Sequence, residues 1–311
     1  MTWRSVFPSK PRQWVLSLAL VVALFPLVGW IGGGYWLFDL FNHFQYQYLA
    51  YFSLSMLLLL AMRAWRGAAI VAVLLLLPLV RIAPSYFVPA EGVTSHKSVR
   101  VASFNVLVSN DRYEDTLRWV RESQPDCVYF SETSEKWAKE LEALSSDYPY
   151  SIENNNGFAF YSKFPFRRNR IVYCSQYRFP LLIAHLEMPQ GEVMFCGIHP
   201  LPPVTPRWAR ALRETMEVLA QEVESEKGSV IVAGDFNLTR WSQNATMLER
   251  ARLLDASRGQ SPEATWMRGN PLLAIPIDRI LYRGTDMSCQ TFHIGPDLGS
   301  DHRPVIAKIF W

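Results

Sequence analysis

The chain has 311 residues, enough for one large domain and a smaller one, and half of them are hydrophobic. Residues 1–90 hold six of the 31 Lys and Arg residues and one of the 28 Asp and Glu residues, so residues 91–311 hold 25 basic and 27 acidic residues. The net charge of +3 therefore belongs to the N-terminal part. The remainder lacks the strongly basic surface that would favour nucleic acid as a partner, although its composition does not exclude nucleic acid.

Three apolar stretches occupy most of the first 90 residues, at about 14–38, 44–62 and 67–83. A membrane-spanning helix needs about 20 apolar residues, so the first two stretches are long enough and the third lies at the short end. The first is too long for a cleaved signal peptide, and two more follow it. Near-continuous apolar runs with so little charge do not fit buried helices of a soluble protein. Residues 1–90 are therefore predicted to be an all-α transmembrane region of about three helices that contacts the lipid bilayer.

Basic residues flank these stretches unevenly. Five of them precede the first stretch or separate the second from the third, and one lies near the end of the third: Arg4, Lys10, Arg12, Arg63 and Arg66, against Arg81. Because basic loops remain in the cytoplasm, the N-terminus is predicted to be cytoplasmic. Three crossings then place the large C-terminal domain on the exoplasmic side, periplasmic or extracellular. This prediction depends on an odd number of crossings.

A linker at 91–98 and an α/β domain at 99–311 are predicted next. Helices are predicted at 111–123, 134–145 and 206–226, where apolar residues recur every three or four positions. Strands are predicted in nine apolar runs: VRVASFNVLV, DCVYFSE, FAFYSKF, RIVYCS, LLIAHLEM, VMFCGIH, SVIVAGDF, IDRILYR and VIAKIF. This alternation indicates mixed sheets covered by helices.

Polar residues that can bind metal or transfer protons stand at or beside the ends of six of these runs. They are Asn105, Glu132, His199, Asp235, Asn237, Asp278, Asp301 and His302. Each one alone also has a structural interpretation, as a turn cap, an Asx turn or an ion-paired surface group. Six such clusters beside apolar strands favour one shared site at an edge of the sheets.

Four sequence motifs carry a family resemblance: GDFN, a C-terminal SDHRPV, an upstream SFNV and a strand-terminal SE. In this order they resemble the endonuclease/exonuclease/phosphatase superfamily, which includes deoxyribonucleases, apurinic endonucleases, inositol polyphosphate phosphatases and neutral sphingomyelinases. GFAFYSKFP is similar to a further strand motif of that family. The resemblance covers about 99–311. It implies a four-layer sandwich of two packed mixed β-sheets flanked by helices, with the site at one edge.

The same resemblance implies a metal site. Asn105 and Glu132 would hold a divalent cation, usually Mg²⁺ with Mn²⁺ as the alternative, and Asp301 would lie nearby. Mg²⁺ prefers oxygen ligands and keeps several waters, so a carboxylate, an amide oxygen and a phosphate suffice.

The remaining residues are implied to perform the chemistry. Asp235 and Asn237 would position the attacking water and a phosphate oxygen. Asp278 would orient and charge-balance His302, which resembles a general base, and His199 would contact the phosphate.

The resulting hypothesis is a membrane-tethered, metal-dependent phosphoesterase whose default substrate is a nuclease-like phosphodiester. A phospholipid headgroup is the alternative, favoured by the tether and by the nearly neutral domain. A non-catalytic receptor for a phosphorylated ligand is disfavoured because Glu132, Asp235 and His302 are all present. No obligate protein partner is evident.

Two further groups keep alternative interpretations. A basic cluster could be solvated or could touch anionic lipid headgroups: Lys163, Arg167, Arg168 and Arg170. The cysteines could be buried thiols or could form a disulfide in an oxidising compartment: Cys127, Cys174, Cys196 and Cys289.

Overall fold

The computed structural model describes residues 10–87, 97–154, 157–189, 191–260, 264–285 and 287–310. The chain forms two compact units: residues 1–87 with 241–243, and residues 88–240 with 244–311. We call the first the helical unit and the second the α/β unit. Most of the predicted linker, residues 91–96, lies outside the described residues.

The described part of the helical unit is all α. Its helices are α1 (Pro11–Gly32), α2 (Trp36–Asp39), α3 (Gln45–Ala61), α4 (Trp65–Leu74) and α5 (Leu76–Ile82), with 3-10 turns at Leu40–Phe44 and Ala83–Ser85. The helix of the first apolar stretch ends earlier than predicted, where three consecutive glycines at 32–34 disfavour helix. Two helical stretches are long and apolar enough to cross a membrane, judged by length and composition alone. They are α1 (Pro11–Gly32) and Trp65–Ser85, which comprises α4, α5 and the 3-10 turn that follows.

The α/β unit contains two six-stranded sheets and four helices among its described residues. The strands are β1 (Ser98–Asn105), β2 (Cys127–Ser131), β3 (Tyr150–Asn154), β4 (Phe158–Ser162), β5 (Phe166–Cys174), β6 (Phe179–Met188), β7 (Gly191–Ile198), β8 (Ser229–Asp235), β9 (Leu254–Asp255), β10 (Asp278–Arg283), β11 (Ser288–Ile294) and β12 (Val305–Phe310). The helices are α6 (Tyr113–Ser123), α7 (Glu135–Leu141), α8 (Pro206–Ser225) and α9 (Thr246–Arg250), with 3-10 turns at Glu142–Leu144 and Gln243–Ala245.

The sheets have the strand orders β11-β12-β1-β2-β4-β3 and β5-β6-β7-β8-β10-β9. In each sheet one central pair is parallel, β1 with β2 and β7 with β8, and the other pairs are antiparallel. Apolar side chains fill the space between the sheets, where the rings of Phe160 and Phe195 stack at 4.2 Å. Helices α6 and α7 cover one sheet, and α8 and α9 cover the other. The predicted four-layer α/β sandwich is therefore confirmed.

The central strands are apolar on both faces because each face meets another layer. All residues of β2 are buried, and so are six of the seven residues of β8. Two glycines allow the close approach of chain segments. A side chain at Gly197 would meet the Tyr129 ring at 2.2 Å, and one at Gly234 would meet the backbone oxygen of Ile198 at 1.9 Å. Gly234 also has a φ of +155°, which favours glycine over residues with a side chain.

Candidate active site

Strand pairing brings the predicted polar residues to one edge of the sandwich. In the first sheet β1 ends at Asn105, and the parallel strand β2 ends just before Glu132. In the second sheet β7 ends just before His199, and the parallel strand β8 ends at Asp235. Strand β10 runs antiparallel to β8, and its first residue, Asp278, pairs with Asp235.

Asn105 connects the two sheets through its buried side-chain amide. Its Nδ2 donates hydrogen bonds to Glu132 Oε1 at 2.8 Å and to Asp235 Oδ2 at 3.1 Å. Its Oδ1 accepts from the backbone N–H of Leu107 at 3.1 Å, which fixes the orientation of the amide. The nitrogen therefore faces the site, and Asn105 holds two carboxylates together. Donation of the amide oxygen to a cation, as predicted from the sequence, requires the amide to turn.

His302 and Asp278 form the predicted pair. The Nδ1 of His302 lies 2.9 Å from Asp278 Oδ2, and its Nε2 lies 3.7 Å from Asp235 Oδ2. Burial alone would lower the pKa of His302, but the negative charges of Asp278 and Asp235 outweigh it and raise that pKa to about 10. These two carboxylates therefore favour the imidazolium form of His302.

Asp235 is almost fully buried and faces both histidines. Burial raises its pKa above the ordinary value of an aspartate, and this effect outweighs the opposing charges of His302 and His199. Its Oδ1 accepts from the backbone N–H of Asn237 at 2.8 Å, which is an Asx turn. The side chain of Asn237 donates to the carbonyl of Pro200 at 2.9 Å. The Asx turn that is the structural interpretation of these two residues is thus present, and it leaves Asp235 facing the two histidines.

His199 completes the cluster from the end of β7. Its Nε2 lies 3.5 Å from Glu132 Oε1 and 3.6 Å from Asp235 Oδ2. The ring of Phe179 meets the imidazole edge-on, with a centroid distance of 6.2 Å. One imidazole nitrogen therefore lies close to both carboxylates.

Asp301 lies at the exposed rim of this edge. Its Oδ2 accepts from the indole N–H of Trp266 at 2.9 Å, and its backbone oxygen accepts from the N–H of Met267 at 3.0 Å. Its charge is close enough to contribute to the raised pKa of His302. The side chain is thus oriented by Trp266 and leaves one carboxylate oxygen for a further ligand.

The backbone at the site is strained in three places. Leu107, Glu132 and Asn237 have φ angles of 61°, 58° and 50°, in the left-handed region that residues with a side chain seldom occupy. Such conformations persist only where surrounding contacts enforce them, and they cluster at functional sites. Two of these three residues are candidate site residues.

Two hydroxyl groups that the sequence did not single out hold the backbone of Asp278 and His302. Thr265 Oγ1 accepts from the backbone N–H groups of Ile277 and Asp278, at 3.1 and 3.0 Å. Ser300 Oγ donates to the Asn105 carbonyl at 2.8 Å and accepts from the N–H of His302 at 3.1 Å. Ser300 belongs to the SDHRPV motif, so its position in the sequence could have revealed it. Thr265 lies outside every motif.

The donor set fits a hard divalent cation. Asp235, Asp278 and His302 each place a potential ligand atom within 4.8 Å of the others. Asp278 and His302 are already hydrogen-bonded to each other, whereas His302 Nε2 lies 3.7 Å from Asp235. Glu132 is more suitable as a metal ligand, because its side chain is 28% exposed and ends in a carboxylate. Carboxylate oxygens such as those of Glu132 and Asp301 are the ligands that Mg²⁺ prefers.

A buried ion cluster lies one residue beyond Asp278 in the chain. Arg279 Nε lies 2.9 Å from Asp255 Oδ2, and Arg240 lies 3.4 Å from Asp255 Oδ1. Burial alone would raise the pKa of Asp255, but the two guanidinium groups hold it well below its usual range. The guanidinium of Arg279 also lies over the Phe236 ring at 5.2 Å. These contacts anchor the residues that flank both Asp235 and Asp278.

The two groups with open interpretations have structural partners. Arg167 and Arg170 lie on strand β5 and form ion pairs with Glu192 and Glu222. These pairs support the interpretation of the basic cluster as a solvated, paired surface rather than a lipid contact. The structure describes all four cysteines, and all are free thiols; three are buried and Cys289 is partly buried.

Comparisons with known proteins agree with this fold. Residues 102–302 match the profile described as "Endonuclease/Exonuclease/phosphatase family". The fold is similar to humanized D. rerio TDP2, with a TM-score of 0.60 and 19% identity over 69% of this chain and 99% of that chain. It is also similar to D. rerio TDP2 complexed with single-strand DNA product, with a TM-score of 0.58 and 17% identity over 69% and 100%.

An endonuclease/exonuclease/phosphatase from Beutenbergia cavernae gives a TM-score of 0.58 and 17% identity over 69% of this chain and 72% of that chain. A comparison with curated proteins found no match. At these identities the solved structures show the shared fold alone.

Proposed function

Because the chain belongs to the endonuclease/exonuclease/phosphatase family, we propose that this phosphoesterase hydrolyses a phosphodiester of the nuclease type, with Mg²⁺ or Mn²⁺ as its cofactor. One observation carries the proposal: carboxylates, imidazoles and amides from both sheets converge on one edge of the sandwich. They are Asn105, Glu132, His199, Asp235, Asn237, Asp278 and His302. A phosphodiester repels hydroxide, so its hydrolysis requires positive groups around the phosphate and a base for the attacking water.

The residues divide these tasks according to their charge. Asp235 accepts the proton of the attacking water, a role that its raised pKa favours. His302, held as an imidazolium by Asp278, donates from Nε2 to a phosphate oxygen. The upward direction of this pKa shift is the observation that supports a donor role beside the base role inferred from the sequence. His199 and Asn237 orient the phosphate from the ends of the neighbouring strands β7 and β8.

Glu132 and Asp301 are the residues that would hold the cation. When bound, a divalent cation supplies positive charge that neutralises the non-bridging and leaving oxygens. Several carboxylates lie close together at this edge, and their negative charges repel one another. A bound cation would offset this repulsion.

The second part of the proposal concerns the helical unit, which crosses a membrane three times with a cytoplasmic N-terminus and an exoplasmic α/β unit. Its large apolar side chains point outward, among them Trp14, Leu18, Val21, Leu24, Ile31, Leu54, Leu57, Val73 and Val80. Apolar side chains in this arrangement are stable in lipid rather than in water.

The connections within the helical unit support three crossings. Residues 241–243 form hydrogen bonds with Asp39, the last residue of α2 in the loop that joins α1 to α3, and with Arg81, near the end of α5. This loop and the end of α5 therefore lie at the same end of the unit. Three successive crossings produce that arrangement.

Hydrolysis by the full chain in detergent micelles or nanodiscs, with Mg²⁺ added, tests the proposed chemistry. The substrates are DNA, RNA, sphingomyelin vesicles, inositol phosphates and bis-p-nitrophenyl phosphate. Hydrolysis of DNA or RNA supports the nuclease assignment, and hydrolysis of sphingomyelin alone would replace it with the headgroup alternative. Failure on every substrate while labelled phosphodiesters still bind would indicate a non-catalytic receptor.

Fusions test the topology. A C-terminal alkaline phosphatase should be active, because it requires an exoplasmic location, and a C-terminal green fluorescent protein exported by the same route should be dark. The reverse pattern would contradict either the three crossings or their direction.

A further inference from the structure

Three residues from the C-terminal part of the chain, Trp241–Gln243, belong to the helical unit. They follow the GDFN motif by only three residues, and Asn237 is four positions before Trp241. We call Trp241–Gln243 the docked segment. Its contacts within the helical unit are polar and specific.

Asp39 binds the docked segment through both carboxylate oxygens. Ser242 Oγ donates to Oδ2 at 2.6 Å, and the backbone N–H of Gln243 donates to Oδ1 at 2.8 Å. Asn42 Nδ2 donates to the same Oδ1 at 2.9 Å. Asp39 is 5% exposed and is the single acidic residue among residues 1–90. A buried carboxylate is costly unless hydrogen bonds compensate it, and two of these three bonds come from the docked segment.

Arg81 binds the other end of the docked segment. Its guanidinium donates to the carbonyl of Trp241, and the indole N–H of Trp241 donates back to the carbonyl of Arg81 at 3.0 Å. The ring of Tyr46 meets the Trp241 ring edge-on at 5.2 Å. A side chain added at Gly33 would meet the side chain of Gln243 at 2.4 Å, so the helical unit fits the segment closely.

We propose that Asp39 and Arg81 are positioning residues of the active site and act through the docked segment on Asn237. The proposal rests on the proposed phosphodiesterase function. The loop that starts at Asp235 is fixed at its beginning by the Asx turn and by the bond from Asn237 to Pro200. Its far end is fixed by Asp39 and Arg81. Asp39 and Arg81 thereby hold the chain segment that follows Asn237.

Kinetics of the full chain test this proposal. Asp39→Ala removes both acceptors, Asp39→Asn keeps one acceptor oxygen, and Ser242→Ala removes one donor. We expect KM to rise most in Asp39→Ala, less in Asp39→Asn and least in Ser242→Ala. The rise in Asp39→Ala should be about tenfold, which is roughly the effect of losing one hydrogen bond to the phosphate. Ser55→Ala is the matched control, because Ser55 is a buried serine of the same unit on α3, and it should leave KM unchanged.

The choice of KM separates positioning from folding. A partly unfolded preparation has fewer active molecules, so it lowers the apparent kcat and leaves KM unchanged. A misplaced Asn237 weakens phosphate binding in every molecule and raises KM. Partial recovery of KM in Asp39→Asn relative to Asp39→Ala would further support the role of the carboxylate oxygens.

Trypsin provides a measurement that does not depend on activity. The bond between Arg240 and Trp241 is a tryptic site next to the docked segment, and the wild-type chain should resist cleavage there. Asp39→Ala should be cut at this bond much faster, as fragment masses will show, and Ser55→Ala should behave like wild type. If Asp39→Ala does not accumulate, Asp39→Asn and Ser242→Ala carry both tests.

The outcomes separate the two claims. A wild-type chain that hydrolyses no substrate contradicts the proposed function, and proteolysis alone then decides whether Asp39 holds the segment. An active wild type together with wild-type KM and wild-type protection in the Asp39 variants would overturn the positioning role.

Discussion

The helical unit and the α/β unit distribute their side chains in opposite ways. In the α/β unit the largest buried side chains are aromatic, such as Trp137 and Phe195, and both are fully enclosed. In the helical unit Leu57 is 58% exposed and Ile31 is 87% exposed, whereas Asn42 is completely buried. The α/β unit thus follows the pattern of a protein core in water. The helical unit follows the pattern expected when the surroundings are themselves apolar.

Both units nevertheless bury polar groups, and both do so where hydrogen bonds compensate the cost. Asp235 and Asp278 are buried in the α/β unit and face His302, while Asp39 is buried in the helical unit and faces the docked segment. Buried polar groups of this kind require partners wherever they occur. The contrast between the units therefore concerns their outer surfaces, and the following predictions test it from the largest expected effect to the smallest.

The largest effect should come from the pair of His302 and Asp278 in the α/β unit. His302→Ala should lower kcat/KM by about 10²–10⁴-fold, because it removes the proposed donor to the reacting phosphate. Asp278→Asn acts through the same imidazole, so the double variant should lose little more activity than His302→Ala alone. Hydrolysis of bis-p-nitrophenyl phosphate by the full chain measures both effects. His293→Ala, at an exposed histidine, is the control. If the losses of activity in His302→Ala and Asp278→Asn instead multiply in the double variant, Asp278 has a different role.

The second-largest effect should come from the buried ion cluster of Asp255, Arg240 and Arg279. Asp255→Asn leaves two buried guanidinium groups without their carboxylate and should lower the free energy of unfolding by about 3–5 kcal/mol at neutral pH. The pKa of Asp255 is depressed in the folded protein, so its stabilisation is present above the ordinary aspartate pKa and is lost as pH falls towards the folded value.

Denaturant unfolding at several pH values measures this contribution. The difference between wild type and Asp255→Asn should be constant from pH 8 to about pH 5 and should shrink below about pH 4, the ordinary aspartate pKa. Asp115→Asn makes the same chemical change at an exposed ion pair with Arg112 and should have a much smaller effect. A difference that stays constant at low pH would contradict the assignment of a depressed pKa.

Much of the fold was predictable because the central strands are apolar along their whole length. Strands β2 and β8 are buried on both faces, and their sequences contain the runs that predicted them. The sequence predicts neither β3 nor β11, nor the two-residue strand β9. Strand β3 is a sheet edge with mostly exposed or half-buried residues, and the sequence of β11, SCQTFHI, has no continuous apolar run.

The candidate site was predictable to a similar degree and for a related reason. Its residues follow apolar strands directly, so sequence position alone places Asn105 and Asp235 at strand ends. The contacts of Thr265 with Asp278 and of Asp39 with Ser242 join residues that are distant in sequence, at 13 and 203 positions. No local pattern encodes such pairs, because they depend on how loops pack in three dimensions.

A core substitution in the α/β unit should have a smaller effect than the loss of the ion cluster. Leu219 on α8 is fully buried against the second sheet. Leu219→Ala should therefore lower the free energy of unfolding by about 2–5 kcal/mol, through lost burial and the cavity that remains. Denaturant unfolding followed by near-UV circular dichroism measures this. A change below about 0.5 kcal/mol, the usual range of surface substitutions, would contradict the placement of α8.

The same substitution in the helical unit should have the smallest effect. Leu57 on α3 is 58% exposed, so Leu57→Ala removes few contacts within the protein and should change stability by no more than about 0.5 kcal/mol in detergent. A charged residue at this position distinguishes lipid from water. Leu57→Asp would place a carboxylate against hydrocarbon, at a cost of about 2.5–3.5 kcal/mol near the centre of a membrane helix.

Val108 provides the matched comparison, because it is 55% exposed in the α/β unit, where Val108→Asp would face water. Carbonate extraction of membranes from expressing cells measures the fraction of each variant that is integrated. We expect Leu57→Asp to reduce that fraction and Val108→Asp to leave it unchanged, since the carboxylate loses its hydration only in the first case. If both variants integrate like wild type, the exposed leucines of the helical unit do not face lipid, and the contrast between the two surfaces has another cause.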